Sequence, residues 1–144
     1  MIYQAKLLDL ENVAKLAYEL WPEANYEELI NLFSEIIEHP EFAIFIAREY
    51  SLIGFGYFSL RNDYVEGTTS SPVGYIEGVY VKEEERHKGI ASKLIDKGVK
   101  WAKSKGCTEM ASDCIISNKE SEAFHKALGF IEANRIICFT KEIN

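Results

Sequence analysis

The chain has 144 residues and a formal net charge of −7, with 47% hydrophobic and 27% charged residues. This length and composition predict one soluble globular domain over residues 1–144. The acidic balance argues against a nucleic-acid binder and suits a cationic small-molecule partner. No apolar run is long enough to span a membrane, and the N-terminal residues do not read as a signal peptide, so we expect a cytoplasmic protein.

The N-terminal segment predicts one strand and two helices. A short strand over residues 2–8 precedes a helix that Asp9 would cap and Pro22 would end. A second helix begins near Asn25 and stops before Pro40. Apolar residues recur at helical spacing through both segments, which indicates that each helix buries one face.

Three strands and one long loop follow the second helix. Residues 42–47 form a nearly continuous apolar run, and residues 53–60 return as its neighbour. Residues 61–72 are a polar loop rich in turn-forming residues, and loops of this length often carry function. The central strand, Val73–Val81, comes next.

A polar turn joins the central strand to a helix and reads Arg86-x-x-Gly89-x-Ala91. Free backbone N–H groups and the positive end of the helix dipole favour a phosphate group at such a position. Gly89 has no side chain to keep a ligand from the backbone. Further basic or near-basic side chains stand at His87, Lys88 and Lys93. The turn matches neither a P-loop nor a Gly-x-Gly-x-x-Gly site, so we predict that it binds the pyrophosphate of another kind of ligand.

The remainder of the chain predicts a helix, a strand, a second helix and a last strand. The first helix has its core face at Ala91, Leu94, Ile95, Gly98, Val99 and Ala102. Residues 107–112 form the fifth strand, and Ser117 with Glu120 forms a capping box. The next helix faces inward with Ala123, Phe124, Ala127 and Leu128, and residues 136–140 form the last strand. Strand–helix–strand crossovers place Val73–Val81 and 107–112 side by side and parallel, which predicts an α/β fold with a mixed sheet and helices on both faces.

Several motifs together resemble the GNAT family of N-acetyltransferases over essentially the whole chain. The coenzyme loop matches at Arg86, Gly89 and Ala91, and the last helix ends in the family-like segment 124–130, Phe-His-Lys-Ala-Leu-Gly-Phe. Asn118 stands at the usual asparagine of that motif. The resemblance implies the GNAT acyl-CoA N-acyltransferase fold, a central mixed sheet flanked by about four helices, with acetyl-CoA as co-substrate and no metal.

Shorter pieces narrow the resemblance to the aminoglycoside 6′-N-acetyltransferases. These pieces are Leu20-Trp21-Pro22, the segment 63–67, Ser70-Ser71-Pro72-Val73, Glu77-Gly78-Val79 and the segment 106–113 with its Met-Ala-Ser-Asp ending. The resemblance implies acetyl transfer from acetyl-CoA to the 6′-amine of an aminoglycoside, antibiotic resistance and a homodimer. It assigns the antibiotic to Trp21, Tyr64, Glu77 and Asp113. Together with the coenzyme-loop motif, it assigns acetyl-CoA to Val79, Tyr80, Val81, Arg86, His87, Lys88, Gly89, Ile90, Ala91, Ser92 and Asn118.

The chemistry of amine acetylation fits two carboxylates. The attacking amine must be neutral, so it needs a base or a water chain to one. Where two parallel strands diverge, a thioester arm can use the backbone groups of Val79 and Val81 as a strand partner. We assign Glu77 to substrate binding and possible water-mediated base work, and Asp113 to a more direct orienting or base role. Each carboxylate could instead only end a strand or cap a turn.

Some positions depart from the family pattern or admit another explanation. His125 stands where many members have a proton-donating tyrosine, and it could donate a proton, or only pack while the thiolate leaves unassisted. Asn134 replaces an expected acidic substrate contact. Trp21 could be a core aromatic rather than a platform for sugar rings. Cys114 suggests an acyl-cysteine route, which direct transfer does not need.

Three other functions remain open from the sequence. The chain could acetylate another small amine, a polyamine or a peptide N-terminus. It could bind acetyl-CoA without catalysis, or be an α/β domain with no coenzyme site. The cysteines Cys107, Cys114 and Cys138 leave one thiol unpaired and fit no zinc motif, so we expect reduced thiols and no metal site.

Overall fold

The computed structural model describes residues 1–144. Five strands form one mixed sheet, and their order across the sheet is the same as their order along the chain. The strands are β1 (Ile2–Gln4), β2 (Phe42–Arg48), β3 (Leu52–Arg61), β4 (Val73–Val81) and β5 (Met110–Ala111). Neighbours from β1 to β4 are antiparallel, whereas β5 lies parallel to β4. The predicted mixed sheet and its parallel pair are therefore confirmed, although β5 is shorter than the predicted 107–112.

Four α-helices accompany the sheet, as predicted: α1 (Leu10–Leu20), α2 (Tyr26–Ile36), α3 (Ile90–Ser104) and α4 (Lys119–Ala127). Asn25 caps α2, because its side chain accepts a hydrogen bond of 3.1 Å from the N–H of Glu28. The prediction that the Asp9 side chain caps α1 is wrong, since Asp9 precedes the helix but its side chain makes no capping hydrogen bond to it. The buried Asp9 carboxylate accepts from the N–H of Lys6 at 2.9 Å and so closes the short 3₁₀ turn before α1.

Helices cover both faces of the sheet, as the chain order predicted. Phe55 on β3 packs edge to face against Phe33 of α2, with ring centroids 6.4 Å apart. Phe58, three residues later on the same strand, faces the opposite side and lies against Gly98 of α3. A Cβ on Gly98 would stand 2.3 Å from the Phe58 ring, so this glycine allows the close approach of helix and sheet.

The buried face of α3 differs from the prediction at one position. Val99 is 38% exposed, whereas Trp101 is buried. The apolar stripe therefore turns toward Trp101, because the large indole buries more apolar area than a valine at the margin of the helix face. No helix of the chain is both long and apolar enough to cross a bilayer.

The chain divides into two compact units, Met1–Ser112 and Asp113–Asn144. The first unit contains the whole sheet with α1, α2 and α3, and the second contains α4 and the residues after it. The predicted inward face of α4 at Ala123, Phe124, Ala127 and Leu128 is wrong, since α4 has no buried residue. A segment as short as the second unit holds too little apolar surface to enclose a core of its own. The single domain over residues 1–144 stays a prediction.

The predicted last strand over residues 136–140 is also wrong. No strand is present after β5, and Ile136, Ile137 and Phe139 are each at least 66% exposed. A strand is held by hydrogen bonds to a neighbouring strand, and no such neighbour pairs with this segment in the single chain.

Candidate active site

The turn between β4 and α3 has the geometry of an anion site. His87 and Gly89 both adopt left-handed backbone conformations, with φ of 65° and 78°. No side chain caps the N-terminus of α3, so its first N–H groups are available to an anionic ligand. A Cβ on Gly89 would meet nothing within 4 Å. Glycine therefore suits this position because of the positive φ, not because a neighbouring group would clash with a side chain. The space next to the Gly89 backbone is open to a ligand.

Two basic side chains of the turn are held by groups of the protein. The Arg86 Nε donates a hydrogen bond of 2.8 Å to the carbonyl oxygen of Val81, which ties the turn to the end of β4. The Lys88 Nζ lies 2.9 Å from a Glu85 carboxylate oxygen, and this hydrogen bond raises the pKa of the Lys88 amine. The Lys88 amine therefore stays positively charged at neutral pH, and the Arg86 hydrogen bond maintains the shape of the turn.

The edge of β4 that faces β5 is open along its last third. β4 pairs with β5 only at Gly74 and Tyr75. On the other edge, Val79–Val81 pairs with residues 54–56 of β3. The backbone groups of Val79–Val81 on the β5 side therefore have no ladder partner within the sheet, as expected for a segment that receives an extended ligand.

Glu77 lies at an irregularity in β4. Tyr57 pairs with Gly78 and Phe58 pairs with Ile76, so Glu77 is the extra residue of a β-bulge. Its side chain is 22% exposed. Its carboxylate accepts hydrogen bonds from the buried Ser59 hydroxyl at 2.6 Å and from the Arg61 guanidinium at 2.9 Å.

Trp21, at the end of α1, lies next to this carboxylate position. A Cβ on Gly78 would stand 2.8 Å from two atoms of the indole ring, so the ring rests on the β4 backbone. The indole also packs edge to face against Phe55, with centroids 6.3 Å apart. Trp21 is half-buried, so part of its side chain remains accessible to solvent.

The Tyr57 hydroxyl belongs to the same face of the sheet. Burial, and then the negative charge of Glu77, raise the pKa of Tyr57 to about 12, although Arg61 opposes the shift. Tyr57 is therefore a neutral phenol at physiological pH. It is a hydrogen-bonding group beside Glu77, not a base.

The loop between β3 and β4 is exposed at Tyr64 and anchored at its far end. Tyr64 is 78% exposed, and its hydroxyl donates to Glu66 at 3.1 Å. The Glu109 carboxylate accepts from the N–H groups of Thr69 and Ser70, each at 2.9 Å, and from the Ser70 hydroxyl. These hydrogen bonds lower the pKa of the Glu109 carboxyl, and the bond from the Ser70 hydroxyl contributes most to this shift.

The second unit contains the other predicted site residues. Asp113 is its first residue and lies at an exposed position. Asn118 caps α4, since its side-chain oxygen accepts from the N–H of Ser121 at 3.0 Å. The predicted capping box of Ser117 and Glu120 is therefore wrong, because Asn118 is the residue that directly precedes the helix.

His125 and Asn134 both make local contacts within the second unit. The His125 Nδ1 lies 2.7 Å from the Ser121 carbonyl oxygen, the usual contact of a helical side chain one turn back. The His125 ring packs edge to face with the Phe130 ring, at 5.6 Å between centroids. The Asn134 side-chain oxygen accepts from the N–H of Arg135 at 2.8 Å. The assigned roles of both residues stay predictions.

The first unit thus brings together the turn, the open edge of β4, Glu77 and Trp21. Sequence reasoning missed Tyr57, Ser59 and Arg61, which surround the Glu77 carboxylate. Their signal was present in the sequence, because three polar side chains at alternate positions of an otherwise apolar strand share one face.

No group of three or more His, Cys, Asp or Glu side chains in the structure could hold a metal ion.

Comparison with known proteins relates this arrangement to acetyltransferases. The model of the acetyltransferase (GNAT) family matches residues 6–130. An aminoglycoside N(6′)-acetyltransferase type 1 of Serratia marcescens is 40% identical over 126 residues, which cover 86% of each chain. The enzyme of the same name from Salmonella enteritidis is 39% identical over 141 residues, or 97% of each chain.

Solved structures agree with these sequence relatives. The structure of AAC(6′)-Iy in complex with the bisubstrate analog CoA-S-monomethyl-acetylneamine has a TM-score of 0.95 and 38% identity, and covers 99% of this chain and 98% of that one. Apo AAC(6′)-IG of Acinetobacter haemolyticus has a TM-score of 0.93 and 32% identity, and covers 100% and 99% of the two chains. The resemblance deduced from the motifs is confirmed, and the chain belongs to the GNAT family of acetyltransferases.

Proposed function

We propose that the chain transfers the acetyl group of acetyl-CoA to the 6′-amino group of aminoglycoside antibiotics and thereby confers resistance to them. One observation of the geometry carries the proposal. The anion-binding turn, the open edge Val79–Val81 and the Glu77 carboxylate follow one another along β4 and the start of α3. The names of the relatives and the bisubstrate analog bound to a similar structure support the same activity.

The coenzyme would lie along β4 and the turn. The pyrophosphate accepts hydrogen bonds from the N–H groups of residues 87–92, with the positive end of the α3 dipole behind them. The pantetheine arm pairs with backbone groups of Val79–Val81 that no strand on the β5 side engages, in the manner of an added strand, beside the Val81 carbonyl oxygen that accepts from Arg86. We propose that Asn118 contacts the same arm.

The antibiotic would be held by rings and carboxylates. Trp21 offers an indole face to the sugar rings, and Glu77 accepts a hydrogen bond from an ammonium or hydroxyl group. Tyr64, on the exposed loop, adds a second aromatic contact. Asp113 binds the antibiotic near the reacting amine, and Asn134 provides a neutral amide oxygen in place of a carboxylate.

Direct attack of the amine fits these residues. The neutral 6′-nitrogen forms a bond to the carbonyl carbon, the carbon–sulfur bond breaks, and the amine loses one proton. Asp113, or a water that Glu77 orients, accepts this proton. The CoA thiolate takes a proton from His125 or from solvent. The exposed Cys114 is not required, because no acyl-enzyme intermediate is needed.

We further propose that two copies of the chain form a homodimer in the cytoplasm. The residues after α4 expose apolar side chains that a single chain leaves in contact with water. These are Ile131, Ile136, Ile137, Phe139 and Ile143, each at least 66% exposed. Pairing of residues 136–140 with a second copy would bury them and supply the missing strand partner. Sedimentation velocity should give a dimer, and a monomer at micromolar concentration would contradict it.

Thiol release from acetyl-CoA tests the activity. We expect rapid CoA release with kanamycin- or tobramycin-type substrates and none without an amine. Turnover of polyamines, small amines or peptide N-termini with inert aminoglycosides would instead identify another substrate class. Tight CoA binding in calorimetry with no turnover of any amine would identify a non-enzymatic binding module.

A further inference from the structure

The carboxylate of Glu77 is fixed by two residues of the neighbouring strand to which neither the motifs nor the relatives assign a role. Ser59 and Arg61 stand two positions apart on β3, so their side chains share one face of the sheet. The bulge at Glu77 places its side chain on the same face, within reach of both.

The Arg61 guanidinium forms a fork around the Glu77 carboxylate. Its Nη2 lies 2.9 Å from each of the two carboxylate oxygens, and its Nε lies 3.2 Å from Oε2. Such forked contacts fix the orientation of both groups, which a single point contact does not do.

The Arg61 side chain is itself held in place, although it is 42% exposed. The guanidinium carbon lies 3.5 Å from the centroid of the Tyr75 ring, a stacked cation–π contact. Tyr75 is buried in the sheet and provides a rigid support. Because the Tyr75 ring already restricts the Arg61 side chain, forming the ion pair costs less side-chain conformational entropy than it would for an unsupported surface arginine.

A count of acceptor positions shows what this arrangement leaves open. A carboxylate offers about four lone-pair directions. Oε2 already accepts from the Ser59 hydroxyl and from two Arg61 nitrogens, whereas Oε1 accepts from one Arg61 nitrogen. Each oxygen has about two of these directions, so the three donors saturate Oε2, while Oε1 retains one acceptor direction that the partners of Glu77 fix in space.

We propose that Arg61 is a positioning residue for the aminoglycoside site. It orients Glu77 so that Oε1 presents its remaining lone pair to one donor group of the antibiotic. This inference rests on the proposed function for the identity of that donor. It also explains how a carboxylate at a strand bulge can bind a substrate in a single orientation, since its partners prevent rotation about its last bond.

Steady-state kinetics of three variants test the proposal. Arg61→Gln should raise the KM for the aminoglycoside roughly tenfold, because a misplaced acceptor loses its hydrogen bond, and should leave the KM for acetyl-CoA unchanged. Arg61→Lys should not restore the wild-type KM, since an ammonium keeps the charge but cannot form the fork. In a Glu77→Gln background, Arg61→Gln should have little further effect, because both substitutions disrupt one contact.

Arg48→Gln is the matched control. Arg48 ends β2 and is 36% exposed; its Nη2 lies 3.7 Å from an Asp9 carboxylate oxygen, and its Nε donates to the Tyr3 hydroxyl at 2.8 Å. It should lower the melting temperature at least as much as Arg61→Gln and leave both KM values unchanged. Equal kinetic effects of the two variants, or a KM for the aminoglycoside that falls in Arg61→Gln, would overturn the positioning role.

A readout without substrate separates this inference from the proposed function. In an NMR spectrum of the arginine side chains, the Arg61 Nε–H signal should be sharp and protected, and Glu77→Gln should shift it. A broad, rapidly exchanging Arg61 signal in the wild type would contradict the fixed fork. An inactive wild type with a protected Arg61 signal would contradict only the proposed substrate.

Discussion

The indole ring of Trp21 rests directly on the β4 backbone at Gly78, one residue after Glu77. A Cβ on this glycine would stand 2.8 Å from the Cη2 and Cζ2 atoms of the ring. Trp21 and Glu77, both assigned to the antibiotic, are far apart in the sequence. Because Gly78 has no side chain, the Trp21 ring can pack on the backbone of the residue that follows Glu77. The sequence contained both residues, but it did not show that they adjoin.

Gly78→Ala should displace the Trp21 ring, because the added methyl group overlaps it. Overpacking of this kind destabilises a protein by about 1–3 kcal/mol, and the half-buried ring can relieve part of it by moving toward solvent. We expect a KM for the aminoglycoside that rises several-fold, with the KM for acetyl-CoA unchanged. Wild-type values for both constants would mean that the ring position does not matter for substrate binding.

Gly89→Asp should weaken acetyl-CoA binding by crowding the turn and repelling the pyrophosphate. Gly106→Asp is the control, since Gly106 also has a positive φ and open space around it, but lies after the other end of α3. Both variants carry similar backbone strain, so their melting temperatures should fall by similar amounts. Calorimetry should show weaker CoA binding for Gly89→Asp alone. An unchanged affinity there would refute the pyrophosphate site.

Asp113→Ala should reduce turnover much more than stability. The residue lies at an exposed position, so we expect a small change in melting temperature and a kcat lower by roughly 100-fold or more, if the carboxylate accepts the amine proton. Asp96→Ala, at an exposed position of α3, is the comparison variant and should keep wild-type turnover. A loss of stability that matches the loss of activity would instead indicate a structural role for Asp113.

Glu109 should make stability depend on acid pH through the loop that carries Tyr64. Hydrogen bonds from Ser70 and Thr69 hold the pKa of the folded carboxyl below its ordinary value of 4.5. The folded state then binds protons less readily than the unfolded state, so this stabilisation is present above pH 4.5 and is lost as pH falls through the folded pKa.

Glu109→Gln should therefore lower the melting temperature at pH 7, and the difference from wild type should shrink progressively below pH 4.5. Glu35→Gln, at an exposed position of α2 and outside this loop, is the comparison variant and should leave the melting temperature near the wild-type value. A difference for Glu109→Gln that stays constant from pH 7 to pH 3 would contradict the anchoring by an ionised carboxylate.

Most of the sheet and the turn could be predicted from the sequence, because their signals are local. The apolar runs of β2 and β3, the cap at Asn25 and the Gly89 turn each depend on residues within a few positions. The segment 136–140 has an equally apolar pattern, yet it forms no strand. Apolar residues indicate that a segment will be buried, but a strand also requires a partner, which the pattern does not identify.

The surroundings of Glu77 could not be predicted, because they depend on register. The bulge shifts the pairing of β3 and β4 between Tyr57 and Phe58, and this shift brings Ser59 and Arg61 to the carboxylate. Period-two alternation alone predicts which residues share a face on one strand. It does not predict which residues of the next strand they meet.

The position of the acetyl group in the reaction product tests the proposed activity most directly. The chain, acetyl-CoA and an aminoglycoside with a 6′-amine should yield a singly acetylated antibiotic, in which two-dimensional NMR places the amide on the 6′-nitrogen. The counterpart with a hydroxyl at the 6′-position should give no product. Acetylation at another nitrogen, or equal turnover of the 6′-hydroxyl counterpart, would contradict the assignment of this chain to 6′-N-acetylation.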